Sequence, residues 1–337
     1  DQEISEQILP DGGHFELSPM YHALMIEDIL DLIAVTDCYQ MSALLQRRGL
    51  LVRTAVAMLN WLQIMCHPDG QISFFNDAAL GIAPSLENLK AYSDALGLAQ
   101  ADTVDTVLKQ LPDSGYYRAD IGRFSLLADM AEVGASYIPG HAHADTLSFE
   151  LSVDGFRLIV NGGTSTYNAG QLRHQERGTA AHSTVCINAQ DSSEIWGNFR
   201  VARRALISDV LVEQTPTQVC LSASHNGYRR LTGRPVHSRH WQCRSGEILV
   251  NDRITPAHCD AICRFILHPQ IDVQQRTDNV FILNMPNGKS LQMDLPGAQI
   301  VATTYSPEFG CRQNTSALIA PLLGGKSSAR LTFKEQS

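Results

Sequence analysis

Positive charge is what this sequence lacks first. Its 337 residues hold 26 lysines and arginines against 35 aspartates and glutamates, a formal net charge of −9. A generic nucleic-acid binder carries a basic stripe, so that class of partner is disfavoured. No apolar run reaches the roughly 18–20 residues a membrane-crossing helix needs, and no secretory leader is recognisable at the start. The eight cysteines include no CxxC pair. Cys66 in WLQIMC and Cys186 in STVCIN sit in apolar runs, so most cysteines read as small buried hydrophobes rather than a disulfide framework or a zinc ribbon. Internal repeats and low-complexity tracts are also lacking, and nothing in the composition suggests disorder.

What is there is unevenly distributed. Residues 1–150 carry 7 basic against 21 acidic side chains, whereas residues 151–337 carry 19 against 14. A run of arginines without lysine (Arg173, Arg177, Arg200, Arg203, Arg204, Arg229, Arg230, Arg234 and Arg239) belongs to the second part. Guanidinium groups grip carboxylate or sulfate in a bidentate fork, which points to an anionic small molecule or polysaccharide. Exposed strand arginines paired with acids explain any one of them equally well.

The length suits two domains, and the hydrophobic period changes once along it. Ser18-Pro19 is a helix start, with Ser18 as N-cap and Pro19 in the first turn, followed by Ala23, Ile26, Leu30 and Ile33 at helical spacing. LLVRTAVAMLNWLQIMCH predicts a second helix, ended by Pro68-Asp69-Gly70, and SLENLKAYSDALGL a third. After Pro112 the period becomes two, in segments such as TLSFELSVDGFRLIVNGG and HSRHWQCRSGEILVNDRI, with VDGF and RSGE as hairpin turns. The expected fold is α+β: helices over residues 1–112, then a large antiparallel β unit over residues 113–337.

Three clusters place titratable residues where the pattern does not need them. In GGHFELSPMYHAL, Tyr21 and His22 fall in the first turn of a helix, where free N–H groups favour an anion and a tyrosine can transfer protons. Packing of Tyr21 against the next helix is the alternative. In PGHAHADTLSFEL, His141 and His143 alternate at the mouth of a strand beside Asp145, and can address one common object. That object is a metal, a substrate or a turn. In RHQERGTAAHSTV, Arg173, Arg177 and His182 lead into a strand, and His182 is the natural third ligand or second imidazole. Together these describe a site at the seam of the two halves.

The segments DGGHFELSPMYH, FFNDAALGIAPS, PGHAHADTLSFEL, VNGGTSTY, RGTAAHSTV and SSEIWGNFRVARRA, in that order, resemble the heparinase II/III-like polysaccharide lyases and their oligo-alginate lyase relatives. The resemblance runs over most of the chain. It implies the last helices of a partial (α/α) toroid followed by an antiparallel β-sandwich, with an upstream part of the toroid, and any leader, missing. It implies β-elimination at a uronic acid of an anionic polysaccharide, in the periplasm or outside the cell. Tyr21 and His141 match the catalytic tyrosine and histidine. His22, Tyr167, Arg173 and Arg177 are then expected to contact substrate. His143 and His182 match two ligands of a zinc ion that some members hold. Asn161 stands where those members have an aspartate, and an amide is a poor zinc ligand.

Two other classes of function fit parts of the sequence. A non-catalytic protein that binds or assembles anionic glycans would use the arginines without the chemistry. A glycoside hydrolase would need two carboxylates flanking the bond, for which Glu16 and Asp77 are the candidates in the helical part. Trp196, Phe199 and Arg200 read either as a sugar-stacking platform or, for Trp196, as a core or interface residue. His225 and Tyr228 read either as reaching the site or as part of a sandwich edge.

Overall fold

The computed structural model describes residues 2–40, 42–99, 106–257 and 260–333; Cys259 lies outside them. The helices are α1 (Gln2–Gln7), α2 (Pro19–Tyr39), α3 (Ser42–Met65), α4 (Leu86–Ala95) and, far downstream, α5 (Gln171–Arg177). Helix α2 starts as its sequence dictates. Ser18 has extended backbone angles and its Oγ accepts the Tyr21 N–H at 3.2 Å, satisfying a donor the helix leaves free. The helical-period residues Ala23, Ile26, Leu30 and Ile33 bury against Leu51, Ala55, Met58 and Leu62 of α3.

The rest of the chain forms two large antiparallel sheets and a two-stranded ribbon, Ile195–Trp196 with Arg200–Val201. The first has nine strands, among them Tyr116–Ile121, Phe124–Asp129, Phe149–Val153, Phe156–Val160, Ala261–Leu267 and Gln313–Pro321. The second has eight, with Lys326–Phe333, Glu247–Thr255, Val236–Arg244 and Gln218–His225 at its centre. Asp154 and Gly155, both at positive φ, make the tight turn of the VDGF hairpin. The inner faces interdigitate through Leu221, Trp241, Val250, Phe265, Phe281 and Leu318. Burial of each such side chain contributes roughly 1.5–3 kcal/mol.

Burial explains how the layers stack. Phe124–Asp129 and Phe149–Val153 are buried on both faces, because the nine-stranded sheet is covered by the sandwich partner on one side and by the helical part on the other. Val236–Arg244 and Glu247–Thr255 alternate buried and accessible residues, so one face of the eight-stranded sheet meets solvent. At the seam, Trp61, Phe75, Tyr116 and Leu127 form one cluster and Met20, Phe74, Val160, Ile266 and Tyr305 another.

Several local expectations need correction. The sheet already begins with Leu108–Leu111, ahead of Pro112. Arg173 and Arg177 lie on α5 rather than on a strand lead-in. His141 lies in a turn and His143 in the loop that follows it, since the strand begins only at Phe149. Among the described cysteines all are free; Cys66, Cys220, Cys243 and Cys263 are buried and Cys38 is exposed.

Candidate active site

Asp77 sits at the centre of the seam, in the loop between α3 and α4, with no accessible surface. Its Oδ2 lies 3.0 Å from His141 Nδ1 and its Oδ1 2.8 Å from His143 Nε2. The common object of the two alternating histidines is therefore this carboxylate. Arg173 closes the other side, placing Nη1 on Oδ1 and Nη2 on Oδ2, the latter at 2.6 Å. Burial alone would raise the Asp77 carboxyl, but hydrogen bonds from His141, His143 and Arg173 hold it well below the usual range. It is a permanent anion.

The loop that carries it is fixed from both halves. Asn76 takes φ 58°, a left-handed conformation asparagine tolerates better than most residues. From there its N–H reaches Asp145 Oδ2 at 3.1 Å, its Nδ2 donates to the Leu17 carbonyl at 2.9 Å, and its Oδ1 accepts the His143 N–H at 3.1 Å. Ser18 Oγ donates to the Asp77 carbonyl at 2.5 Å, so the cap of α2 also locates the carboxylate.

Tyr21 and His141 face one another, with ring centroids 3.9 Å apart. The Tyr21 hydroxyl is 3.0 Å from that of Tyr167. Tyr167 follows Gly163, whose φ of 73° and close packing against the Ser306 carbonyl leave no room for a side chain. The Tyr21 phenol is pushed up by burial and by the Asp77 and Glu16 carboxylates, so it holds its proton at neutral pH. The Asp77 anion accepts Nδ1–H of His141, so in the neutral ring the free electron pair belongs to Nε2. Phe199, 5.9 Å from His141 and 5.1 Å from Tyr167 between centroids, extends this wall and is partly exposed.

Three expected substrate contacts are buried instead. His22 has no exposure; its Nδ1 accepts the His14 N–H at 3.1 Å and its Nε2–H donates to the Met58 carbonyl at 2.9 Å. Burial drives its pKa to about 3. Arg173 is spent on Asp77. Arg177 is equally buried, donating to the carbonyls of Ala142, Gly197 and Arg200. Arg177 braces the histidine loop, and Arg173 braces Asp77 behind the Tyr167 and Phe199 rings. Tyr167, by contrast, is half-buried in the wall itself.

The remaining expectations separate in the same way. Trp196 is 51% exposed with the Arg200 guanidinium 4.8 Å from its ring centre, so it is a surface residue and not core. His225 and Tyr228 are fully buried: His225 lies 3.1 Å from His237, and the Tyr228 hydroxyl donates to the Val185 carbonyl at 2.8 Å. Asp77, locked between Arg173 and two imidazoles, is unavailable as a glycosidase acid or base. His14, which the sequence reading passed over, and Glu16, which it named only as a hydrolase carboxylate, also lie close enough to His141 to interact with it electrostatically. His14 is 4% exposed, neither ring nitrogen has a hydrogen-bond partner, and Nδ1 lies 3.8 Å from Glu16 Oε2. Burial raises the Glu16 carboxyl, and the charges of His141 and Asp77 act on it. The spacing H-x-E-x-S-P-x-Y, which sets both just ahead of the capped helix, was the available signal.

The metal expectation can be tested on electron pairs. His182 Nδ1 is 2.8 Å from the Gly178 carbonyl, so it carries the proton and Nε2 the free pair. His143 donates from Nε2 to Asp77, so its free pair is on Nδ1. These two nitrogens lie 3.1 Å apart and face each other. No hydrogen bond closes between two acceptors, whereas a cation takes both. Asn161 is committed: its Oδ1 accepts the Ser183 N–H at 3.0 Å and its Nδ2 lies 3.3 Å from Ser148 Oγ. Among the described residues no three His, Cys, Asp or Glu side chains gather as a metal cluster. The residues thus fit a two-imidazole half-site, not a complete three-residue zinc site.

Comparison with known proteins identifies the family of the chain. The family model described as heparinase II/III-like, C-terminal matches residues 103–333, and the heparinase II/III N-terminus model matches residues 1–98. A heparin-sulfate lyase of Bacteroides stercoris is 24% identical over 276 residues, which are 74% of this chain and 41% of that protein. A heparin-sulfate lyase of Pedobacter heparinus is 26% identical over 209 residues, 56% of this chain and 31% of that protein. The crystal structure of the heparan sulfate lyase HepC from Pedobacter heparinus superposes with a TM-score of 0.77 at 18% identity, over 100% of this chain and 55% of that one. A crystal structure of heparinase III gives 0.79 at 16% identity, with 100% and 56% covered. The chain therefore spans about half the length of these solved relatives and less of the curated ones, and shares their toroid-plus-sandwich fold.

Proposed function

The chain belongs to the heparinase II/III-like family, and from that membership we propose that it is a polysaccharide lyase that cleaves a uronic-acid-containing glycosaminoglycan by β-elimination. The observation that carries this reading is the Tyr21–His141 pair, one ring held by Tyr167 and the other by Asp77. Elimination at a uronate needs a base for the weakly acidic C5 proton and an acid for the departing glycosidic oxygen. His141, its Nδ1–H anchored on the Asp77 anion, presents Nε2 as the base. Asp77 steadies the imidazolium that forms, as an orienting carboxylate does for other catalytic histidines. Tyr21, whose phenol retains its proton, supplies it to the leaving oxygen. Tyr167 orients that hydroxyl, and Arg173 keeps Asp77 ionised.

The names of the curated relatives support heparan sulfate as the first substrate to try. Such a polymer also favours a place in the periplasm or outside the cell; among the described residues no helix is long and apolar enough to cross a membrane. His143 Nδ1 and His182 Nε2 would form the protein part of a zinc half-site, and the family resemblance puts Asn161, whose amide is held by Ser183 and Ser148, at the position of the completing carboxylate. When bound there, the ion would fix both imidazoles behind the cleft.

The test is near-ultraviolet absorbance of an unsaturated uronide, with heparan sulfate, hyaluronan, alginate and a bacterial uronate polysaccharide as substrates. A rise on heparan sulfate supports the whole reading, and a rise on another of the four keeps the reaction and changes the glycan. Binding without any rise overturns the lyase in favour of a glycan-binding protein.

A further inference from the structure

The outer face of the eight-stranded sheet takes no part in the seam site, yet it holds a groove of about 700 Å3. Strand register builds its floor. Ser222, His240, Asn251 and Ser328 stand in one cross-strand row, and Ser224, Ser238, Arg253 and Lys326 in the next. The residues between them along each strand, such as Ala223, Arg239 and Asp252, are buried toward the core, so both rows face away from it; Ser224 is covered and bonded to Ser238 Oγ at 2.8 Å, and the other members are partly or fully exposed. At about 4.8 Å between strands, four strands span roughly 14 Å.

The charges make this more than a polar surface. Arg253 lies directly opposite Lys326 on the neighbouring strand, and both are exposed. Like charges in that position destabilise a sheet. Neither has an ion-pair or hydrogen-bond partner through its side chain among the described residues. Asp252 beneath them is already committed to Arg239 and His237, and Asp209 stands at the groove's border. Pro296, Pro321 and Leu323 give the groove an apolar wall without a phenyl, phenol or indole ring, so Arg253 and Lys326 supply the attraction for an anionic ligand and the wall supplies only a surface for its carbon skeleton.

We propose that this groove is a second binding site for an anionic saccharide segment, separate from the cleft. Arg253 and Lys326 hold a sulfate or carboxylate between them, and the serine hydroxyls, His240 and Asn251 bind the sugar hydroxyls. The inference rests on the reading of an anionic glycan as substrate, in which case the groove holds a distant length of the polymer being cut.

Calorimetric titration of the whole protein at low salt with a heparin octasaccharide, and with neutral dextran as control, tests it. Two classes of heparin site are expected and none for dextran. Arg253→Ser with Lys326→Ser should weaken one class about tenfold, or about 1.4 kcal/mol, while cleavage of a short substrate held only in the cleft is unchanged. Arg276→Ser with Arg312→Ser removes the same charge from elsewhere on the surface and should leave both classes intact. Unchanged binding in the first pair, or equal loss in both pairs, overturns the groove. Failure of every uronate glycan to be cleaved overturns the function reading instead, and binding that still depends on Arg253 and Lys326 would stand without it.

Discussion

His141 Nδ1 lies 3.0 Å from Asp77 Oδ2, and that carboxylate is wholly buried and clamped by Arg173. The histidine can therefore present only Nε2 to the cleft. Asp77→Asn keeps the shape and removes the charge. Turnover should fall roughly 10²- to 10⁴-fold, as when a catalytic histidine loses its orienting carboxylate. Leaving Arg173 buried without its anion should also cost about 3–5 kcal/mol of stability. Urea unfolding and an absorbance assay at a temperature where the variant is folded measure both. Activity that survives in the folded variant would remove Asp77 from the mechanism.

Much of this was legible in the sequence, and the omissions share a cause. Ser18 and Pro19 announced α2 because capping is local, and the change of period announced the sheets because alternation is local. The strands Asp272–Thr277, Gln299–Tyr305, Gln313–Pro321 and Lys326–Phe333 were missed: DVQQRT and QIVATTY do not alternate cleanly and end their sheets, while QNTSALIAP and KSSARLTF, inside theirs, open on polar residues that hide the apolar ones. The site's histidines and tyrosine were visible as residues out of pattern. Their partners were not. Asp77 lies 64 residues before His141 and 96 before Arg173, and no short-range pattern links them. The same distance hid the fate of the arginines: a buried Arg177 capping three carbonyls and an exposed one look alike in a sequence.

Tyr21→Phe removes only the hydroxyl. Ring packing on His141 is kept, and the lost partner of Tyr167 faces a half-buried cleft. Turnover should drop about 10²- to 10⁴-fold, the range for general acid catalysis, with a change in stability under about 1 kcal/mol. A turnover number within a factor of a few of the parent would leave the leaving-group proton to another residue.

Asn161→Asp tests the half-site. The Ser183 N–H can still donate to the new carboxylate, but the Asn161 backbone N–H already binds Glu150 Oε1 at 2.8 Å, which brings a second buried anion close. Without metal the variant should melt below the parent. Zinc should reverse this and bind roughly tenfold or more tightly than to the parent, because a carboxylate replaces a neutral amide among the donors. Metal content by mass spectrometry and melting with and without zinc are independent of activity. Equal zinc affinity in parent and variant would show that position 161 does not face the ion.

The buried histidines set the acid side of the stability profile. His22, in full burial, has its pKa lowered to about 3, and burial takes His225 well below its ordinary value, the neighbouring His237 adding to the effect. In the unfolded chain both titrate near 6.5. Between about pH 6.5 and 4 the unfolded state therefore binds more protons than the folded one, and stability must fall as pH falls. Each such histidine contributes a slope of up to about 1.4 kcal/mol per pH unit in that window, and nothing above pH 7. His22→Gln should lower stability at pH 7, since the His14 N–H and the Met58 carbonyl lose well-placed partners. It should also flatten the slope below pH 6 by about one proton. Urea titrations at several pH values read both effects. An unchanged slope would mean that His22 is already protonated in the fold, which its donor and acceptor pattern forbids.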